Sequence, residues 1–328
     1  MAWAPNVPGS SAGNLTHSLA AFLRVFSGET VAAYNQAVVI KDKLRSRNIT
    51  SGKSATFPTI STSSAKLHTP GDDLFGDSYA PAITNDEQII QINKLLIDTS
   101  FVDNLDEMMN HFDARSEYAS QMGAALATAG DRWAIGALAR GATGTTATTG
   151  STAIATAGGT AGTALVKDAM QKLAVAMDVA AVPKGDRYCV LSPAAYYGMM
   201  LDNDTVSSDF GKGGDRSDPG QLSYLGLTII SSHVWDIDFV GEADLTGTGK
   251  VFHATTGADG RASYQVALDK TFGLGFHKEA AGVVSLHGMS TETSWIPERQ
   301  GNLIVTKQAI GIDILRPASS FLLQTTAV

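Results

Sequence analysis

Two strings in this chain look like the end of a phosphate-binding loop, Gly52-Lys53-Ser54 and Gly249-Lys250. Such a loop needs a first Gly five positions earlier, and a helix start whose backbone N–H groups surround the phosphate. Arg47 and Asp244 occupy the first-Gly positions, Val251 replaces the hydroxyl residue after Lys250, and Ser54 leads into an extended run. Asp202-Asn-Asp204 and Asp236-Ile-Asp238 begin like calcium loops, but Val206 and Val240 fall at the fifth ligand position and no Glu closes either loop. The seven His residues are scattered without a paired Cys or an HExxH string, and no G-x-S-x-G elbow occurs. Cys189 is alone, so no intramolecular disulfide forms, and its apolar run reads as an inert buried thiol. No catalytic group, metal or cofactor is expected.

One electrostatic cluster remains. Lys41, Lys43, Arg45 and Arg47, with only Asp42 among them, form a basic stretch in a chain of 24 Lys+Arg against 32 Asp+Glu, net charge −8. It reads either as a solvated face or as a contact with acidic residues of a neighbouring subunit, such as Asp98, Asp103, Asp106 or Glu107; the second predicts salt-sensitive assembly. An acidic chain without a basic half is a poor free nucleic-acid binder. Charged residues make up 17%, below the usual quarter or so, and the 328 residues suffice for one large domain or a few small ones. The start lacks a secretory pattern and no run of about 20 residues is apolar, so the reading is a soluble, reduced, intracellular protein without a membrane span.

Around these residues the elements fall in an unusual order. Residues 1–17, rich in Pro, Gly, Ser and Asn, read as a mobile arm. Leu19, Phe22, Leu23 and Phe26 have helical spacing with Ser18 as N-cap, then a break at Ser27-Gly28 and a second helical stretch through Val31, Tyr34 and Val38. Extended runs at 55–61 and 88–97 bracket a Pro/Gly/Asp-rich middle, which predicts a long β-hairpin that needs a surface to lie on. A stripe from Phe101 through Leu105, Met108, Phe112, Met122 and Trp133 predicts a helix over 101–138, about 55 Å long, capped by Thr99 and Ser100. The Gly/Ala/Thr run 141–162 marks a linker. Helices are predicted at 165–179 and after Ser192-Pro193, and strands at 187–191, 227–231, 235–240, 251–254, 264–268, 282–286 and 303–315.

That order resembles the major capsid protein of tailed bacteriophages, an α+β architecture called the Johnson fold. Four strings resemble its short-tailed podovirus, autographivirus-type branch: Phe22-Leu-Arg-Val-Phe-Ser-Gly-Glu29, Ser51-Gly-Lys-Ser-Ala-Thr-Phe-Pro58, Pro70-Gly-Asp-Asp-Leu74 and Met109-Asn-His-Phe-Asp-Ala-Arg-Ser-Glu-Tyr-Ala-Ser-Gln121. The likeness is dense over 19–130, thinner over 167–232, and falls on nothing in 141–162 or 236–260.

The resemblance implies a structural, non-enzymatic shell subunit. It would assemble with itself into pentamers and hexamers of an icosahedral capsid, in the host bacterial cytoplasm, with a scaffolding protein and a portal. The shell would enclose double-stranded DNA without sequence-specific binding. It implies an N-terminal arm (1–35), an extended hairpin loop (51–92) lying over the adjacent subunit, a peripheral domain with the spine helix (36–50, 93–140 and 258–300) and an axial domain (141–257 and 301–328). Contact residues then fall on the basic stretch (Lys41, Lys43, Arg45, Arg47), the hairpin (Lys53, Phe57, Lys66, Asp72, Asp73) and the spine segment (Asp103, Asp106, Glu107, Arg115, Glu117). The alternatives are an encapsulin-type nanocompartment shell of the same fold and a phosphate-handling enzyme using Lys53.

Overall fold

The computed structural model describes residues 15–60, 65, 67–71, 85–92, 95–103, 114–143, 154–157, 163–200, 222–232, 234, 251–252, 266–267 and 271–326. Two helices and a four-stranded sheet form one half. Helix α1 (Leu15–Ala37) lies along the long helix α2 (Ala114–Thr143). Phe26, Thr30 and Tyr34, four residues apart, put one face of α1 onto small residues of α2, among them Ala119, Gly123 and Ala127. A Cβ at Gly123 would lie 2.5 Å from the Thr30 carbonyl oxygen, so the crossing is as close as a bare backbone permits. The buried Thr30 hydroxyl donates to the Phe26 carbonyl at 2.7 Å and leaves no unmet polar group there.

Strands β1 (Arg45–Asn48), β2 (Ser54–Ile60), β3 (Asn85–Gln91) and β4 (Leu96–Asp103) precede α2. After it come β5 (Ile154–Ala157), α3 (Thr163–Val179), β6 (Arg187–Leu191), α4 (Pro193–Met200), β7 (Leu222–Tyr224) and β8 (Leu227–Ser231). The chain ends in β9 (Val251–Phe252), β10 (Val266–Ala267), β11 (Thr271–His277), β12 (Ala281–Ile296), β13 (Gly301–Ile314) and β14 (Ser320–Thr326). The four-stranded sheet has the order β1-β12-β13-β4, with β1 parallel to β12 and the other pairs antiparallel. The six-stranded sheet has the order β5-β14-β11-β6-β8-β7, while β2-β3 and β9-β10 are separate two-stranded ladders.

Helix α2 serves both sheets. Its later half (Ala134, Ile135, Leu138, Ala142) shares one core with Val283 and Ile312 of the four-stranded sheet and with Val190, Leu274, Phe276 and Leu322 of the six-stranded sheet. Helices α3 and α4 pack Met170, Leu173, Met177, Tyr196 and Met199 against Leu191, Ile229, Phe272, Phe321 and Leu323. β11 is buried at every position, the pattern of a strand covered on both faces. Its Gly275 leaves room for Leu173, whose Cδ2 would lie 2.5 Å from a Cβ there.

Several expectations are corrected. The helix expected over 101–138 starts at Ala114 and runs on to Thr143, about 45 Å in all. Phe101–Asp103 belong to β4, so Thr99 and Ser100 are strand residues and not caps. The chance helical spacing of Phe101, Leu105 and Met108 hid a period of two in Ile97, Thr99 and Phe101; residues 104–113 lie outside the described residues. α1 runs unbroken through Ser27-Gly28 and starts before Ser18, because Gly in a helix costs only about 1 kcal/mol against Ala and the packing of Phe26 and Tyr34 outweighs it. The run 88–97 divides into β3 and β4. Within the expected linker, Ile154–Ala157 forms β5, an edge strand parallel to β14. β1, β7, β11 and β14 had no forecast, the first because its residues are charged, the third because its glycines dilute the strand signal. Residues 1–14 and 235–240 lie outside the described residues.

The sheets also divide the chain differently from the expected domains. β11 (within 258–300) pairs with β6 and β14 of the six-stranded sheet, and β13 (within 301–328) sits in the four-stranded sheet between β12 and β4.

Candidate functional site

The basic stretch follows the end of α1 and is fixed by one buried acid. Asp131 of α2, 1% exposed, accepts backbone N–H bonds from Val39 (2.9 Å), Ile40 (3.2 Å) and Lys41 (2.9 Å). These donors head the 3-10 turn Lys41–Lys43, whose first N–H groups lack partners within the turn. Burial raises the Asp131 carboxyl above its ordinary value, and the three N–H bonds and nearby Lys41 oppose that rise.

Lys41 and Lys43 turn inward. The Lys41 ammonium bonds the Tyr34 hydroxyl and lies 4.7 Å from that ring's centroid, and Lys43 lies 5.8 Å from the Tyr188 centroid. Arg45 and Arg47, exposed on β1, flank the buried Phe57 ring of the hairpin, with guanidinium carbons 5.6 Å and 6.0 Å from its centroid. Arg47 also donates to the Thr56 carbonyl at 2.5 Å. The basic stretch is thus two residues engaged with the core and two held on a sheet edge.

The hairpin base rests on its own subunit. Ala55, Phe57, Ile90 and Ile92 pack on Val284 and Ala309, and a Cβ at Gly311 would lie 2.6 Å from the Gln91 carbonyl oxygen. Lys53 is exposed, its carbonyl accepts the Ile92 N–H at 2.7 Å, and β2 begins at Ser54, so no helix start faces a phosphate there.

Of the acidic partners weighed for the basic stretch, Asp98 and Asp103 lie on β4, at the opposite edge of the four-stranded sheet from β1. Glu117, near the start of α2, is exposed and accepts from Gln121 at 3.3 Å. Lys66, Asp72, Asp73, Asp106 and Glu107 lie outside the described residues, as does the side chain of Arg115.

Sequence reasoning missed an apolar row on β4. Ile97 pairs with Lys307, Thr99 with Val305 and Phe101 with Leu303, so all share the sheet face that the hairpin base covers farther along at Ala309 and Gly311. Ile97 is 52% and Phe101 39% exposed; the Phe101 ring lies against Gly301 of β13, where a Cβ would collide with it, and the outer side of both residues faces solvent. Asp131 was missed too, although it stands four residues from Ala127 and three from Ala134 on the buried stripe of α2.

No reactive constellation gathers in the described residues. Among the described residues no group of three or more His, Cys, Asp or Glu is placed to hold a metal, and none of their helices is long and apolar enough to cross a membrane. Cys189 is fully buried against Met170, and burial pushes its thiol pKa well up, away from a thiolate. His277, also buried, accepts the Glu279 N–H at 3.2 Å.

Residues 56–324 match the family model described as Gp10A-like: Major capsid protein. The major capsid protein of Escherichia phage T7 is 29% identical over 316 residues, 92% of this chain and 91% of that protein. That of Enterobacteria phage T3 is 28% identical over 317 residues, 92% and 90%. The capsid structure of cyanophage P-SCSP1u superposes with a TM-score of 0.69 at 29% identity, covering 89% of each chain. The mature capsid of bacteriophage PhiM1 gives 0.65 at 15% identity, covering 89% of this chain and 88% of that one. The encapsulin-type alternative is not favoured. The chain belongs to the major capsid protein family of podovirus-type tailed phages: a structural protein of the virion capsid with the α+β Johnson fold, which assembles into the shell and is not an enzyme.

Proposed function

We propose that copies of this chain form pentamers and hexamers of an icosahedral shell that encloses double-stranded DNA, assembled in the host bacterial cytoplasm with a scaffolding protein and a portal. The four-stranded sheet with α2 is the peripheral domain, redrawn to include β13. The six-stranded sheet with α3 and α4 is the axial domain, redrawn to include β11. Residues 1–35 are the N-terminal arm and 51–92 the extended loop lying over the adjacent subunit.

The observation that carries this reading is the half-exposed apolar row of β4, in a sheet whose other face is filled by α1 and α2. A sheet edge with exposed Ile and Phe invites association, and a subunit built for a lattice uses it. The chain's net charge of −8 suits a container, since it limits adhesion to packaged phosphates. One set of patches meeting a different set on the next copy closes into rings. Expression of the chain with a scaffolding protein, followed by electron microscopy, tests the reading. Closed shells with five- and six-fold capsomers that protect duplex DNA from nuclease are the expected result, and a chain that stays monomeric at every concentration overturns it.

A further inference from the structure

We propose that Leu225, at the tip of the β7–β8 turn, seats between Val175 and Val179 on helix α3 of a neighbouring copy. The inference rests on the shell reading and names a contact that reading leaves open.

The turn is a two-residue connection. Tyr224 pairs with Leu227, and between them Leu225 and Gly226 both have positive φ, 51° and 77°. That is the backbone of a type I′ hairpin turn, whose first position takes Asn, Asp or Gly because a Leu side chain is strained there. Leu225 is also 50% exposed. An exposed apolar residue is ordinary on a surface, and so is a strained one at a working site. Both costs at one residue, in a turn that Asn would fit better, point to a side chain whose apolar contact lies outside the subunit.

The receiving surface is the outer ridge of α3. The buried face of this helix carries Met170, Leu173 and Met177. On the opposite face stand Asp168, Lys172, Val175 and Val179, each three or four residues after the last. Asp168 and Lys172 pair with each other at 2.7 Å, while Val175 is 59% and Val179 83% exposed. Val is a poor helix former and gains nothing from facing water, so this ridge too is composed against the interest of a lone subunit. Side chains four apart on a helix have Cβ atoms about 5–6 Å from each other, a notch that holds one branched side chain.

Tip and ridge are both open in the subunit, so neither covers the other within one copy. β7 ends the strand order of the six-stranded sheet, and α3 packs on the face of that sheet. Two different patches on one body make a head-to-tail contact, the kind that propagates around a ring. The partner is a second copy of this chain, the neighbour that a capsid subunit always has.

Leu225→Asn suits the turn and removes the apolar tip, so it moves folding and assembly in opposite directions. The melting midpoint of the unassembled subunit rises by about 1–3 °C. The lowest concentration at which light scattering and electron microscopy detect shells rises about fivefold or more. Val175→Gln with Val179→Gln keeps the helix and raises that concentration similarly. Because both changes strip one contact, the chain carrying all three substitutions raises it by less than the product of the separate rises. Leu225→Gly relieves the same backbone and is read in place of an Asn variant that melts early. Wild-type assembly in a well-folded Leu225 variant, or in the paired Val variant, overturns the contact. A combined rise equal to the product assigns tip and ridge to separate surfaces and overturns their pairing. A wild-type chain that forms no shell at all fails the shell reading instead.

Discussion

The two sheets share α2 yet meet their surroundings in opposite ways. In the six-stranded sheet, β11 is buried along its whole length between α2 on one face and α3 on the other, so its Phe272, Leu274 and Phe276 are satisfied within the subunit. In the four-stranded sheet, β4 alternates half-buried and exposed residues, and its outer row of Ile97 and Phe101 stays partly open to solvent. One half finishes its core alone. The other keeps a half-exposed apolar row, which on the proposed reading is left for a neighbouring copy to cover.

The sharpest way to break that contrast is to truncate one aromatic in each sheet. Phe276→Ala removes a fully buried ring from the core shared by α2 and the six-stranded sheet, and lowers subunit stability by about 3–5 kcal/mol. Phe101→Ala removes a ring that is already over a third exposed, costs the subunit about 1–2 kcal/mol, and in addition weakens shell formation. Urea denaturation of the unassembled subunit, beside an assembly assay, measures both. Equal losses of subunit stability would erase the distinction.

The next effect concerns how the open half is fastened to the spine. Asp131→Ala strips the acceptor from three buried or half-buried N–H groups at Val39, Ile40 and Lys41, and costs on the order of 3 kcal/mol. Its pH dependence has a definite sign. Burial raises the Asp131 carboxyl above its ordinary 3.8, so the folded subunit holds that proton more tightly than the unfolded chain. Stability contributed by this residue is therefore greatest below 3.8, falls as pH rises through the folded value, and is level above it. Asp131→Asn removes that fall, visible as the difference in denaturation midpoint between wild type and variant across acid pH.

What the sequence made legible follows the same division. Elements whose pattern matches their own local period, such as β2, α3, β6 and β8, were readable because local propensity and burial agree there. β11 was not readable, because Gly273 and Gly275 stand where Leu191 and Leu173 need space, and a strand thinned by glycine looks like a loop. β4 was misread because its first bulky residues fell by chance on a helical spacing. The basic stretch was visible as charge, but not that Tyr34 and Tyr188 hold its two lysines while Phe57 holds its two arginines; Tyr188 comes from a distant part of the chain, and Tyr34 and Phe57 reach the stretch only through the turn after α1 and the return of the hairpin. Of the nominated contact residues, those on β1 and β4 ended on opposite edges of one sheet, a relation that only strand order reveals.

Gly123 sharpens the contrast from within the open half. In Gly123→Ala the new methyl would lie 2.5 Å from the Thr30 carbonyl oxygen and 3.0 Å from the Ala33 Cβ, so α1 must move off α2. The better helix propensity of Ala offsets about 1 kcal/mol, leaving a net loss of about 1–2 kcal/mol from the forced separation. Amide hydrogen exchange should show lost protection in α1 and the first half of α2, with the six-stranded sheet unchanged. Uniform loss across both sheets would mean that the two halves unfold as one unit.

The smallest effect lies in the closed half, at the end of α3. Arg187, buried at the start of β6, donates to Asp178 at 2.8 Å and to the Pro183 carbonyl at 2.9 Å, tying the turn after α3 to the sheet. The Arg187 hydrogen bond and charge hold the Asp178 carboxyl below its ordinary 3.8. A depressed carboxyl contributes stability above its unfolded value and loses it as pH falls through the folded one, the reverse of Asp131. Asp178 is solvent-exposed, so screening keeps the contribution small, and added salt reduces it further. Asp178→Asn should therefore flatten only the acid end of the stability curve, while Asp131→Asn removes a slope of opposite sign. The two acids thus report the two halves separately: a subunit whose Asp178 variant shows the Asp131 sign would have its α3 turn, and not its α1 connection, governed by burial.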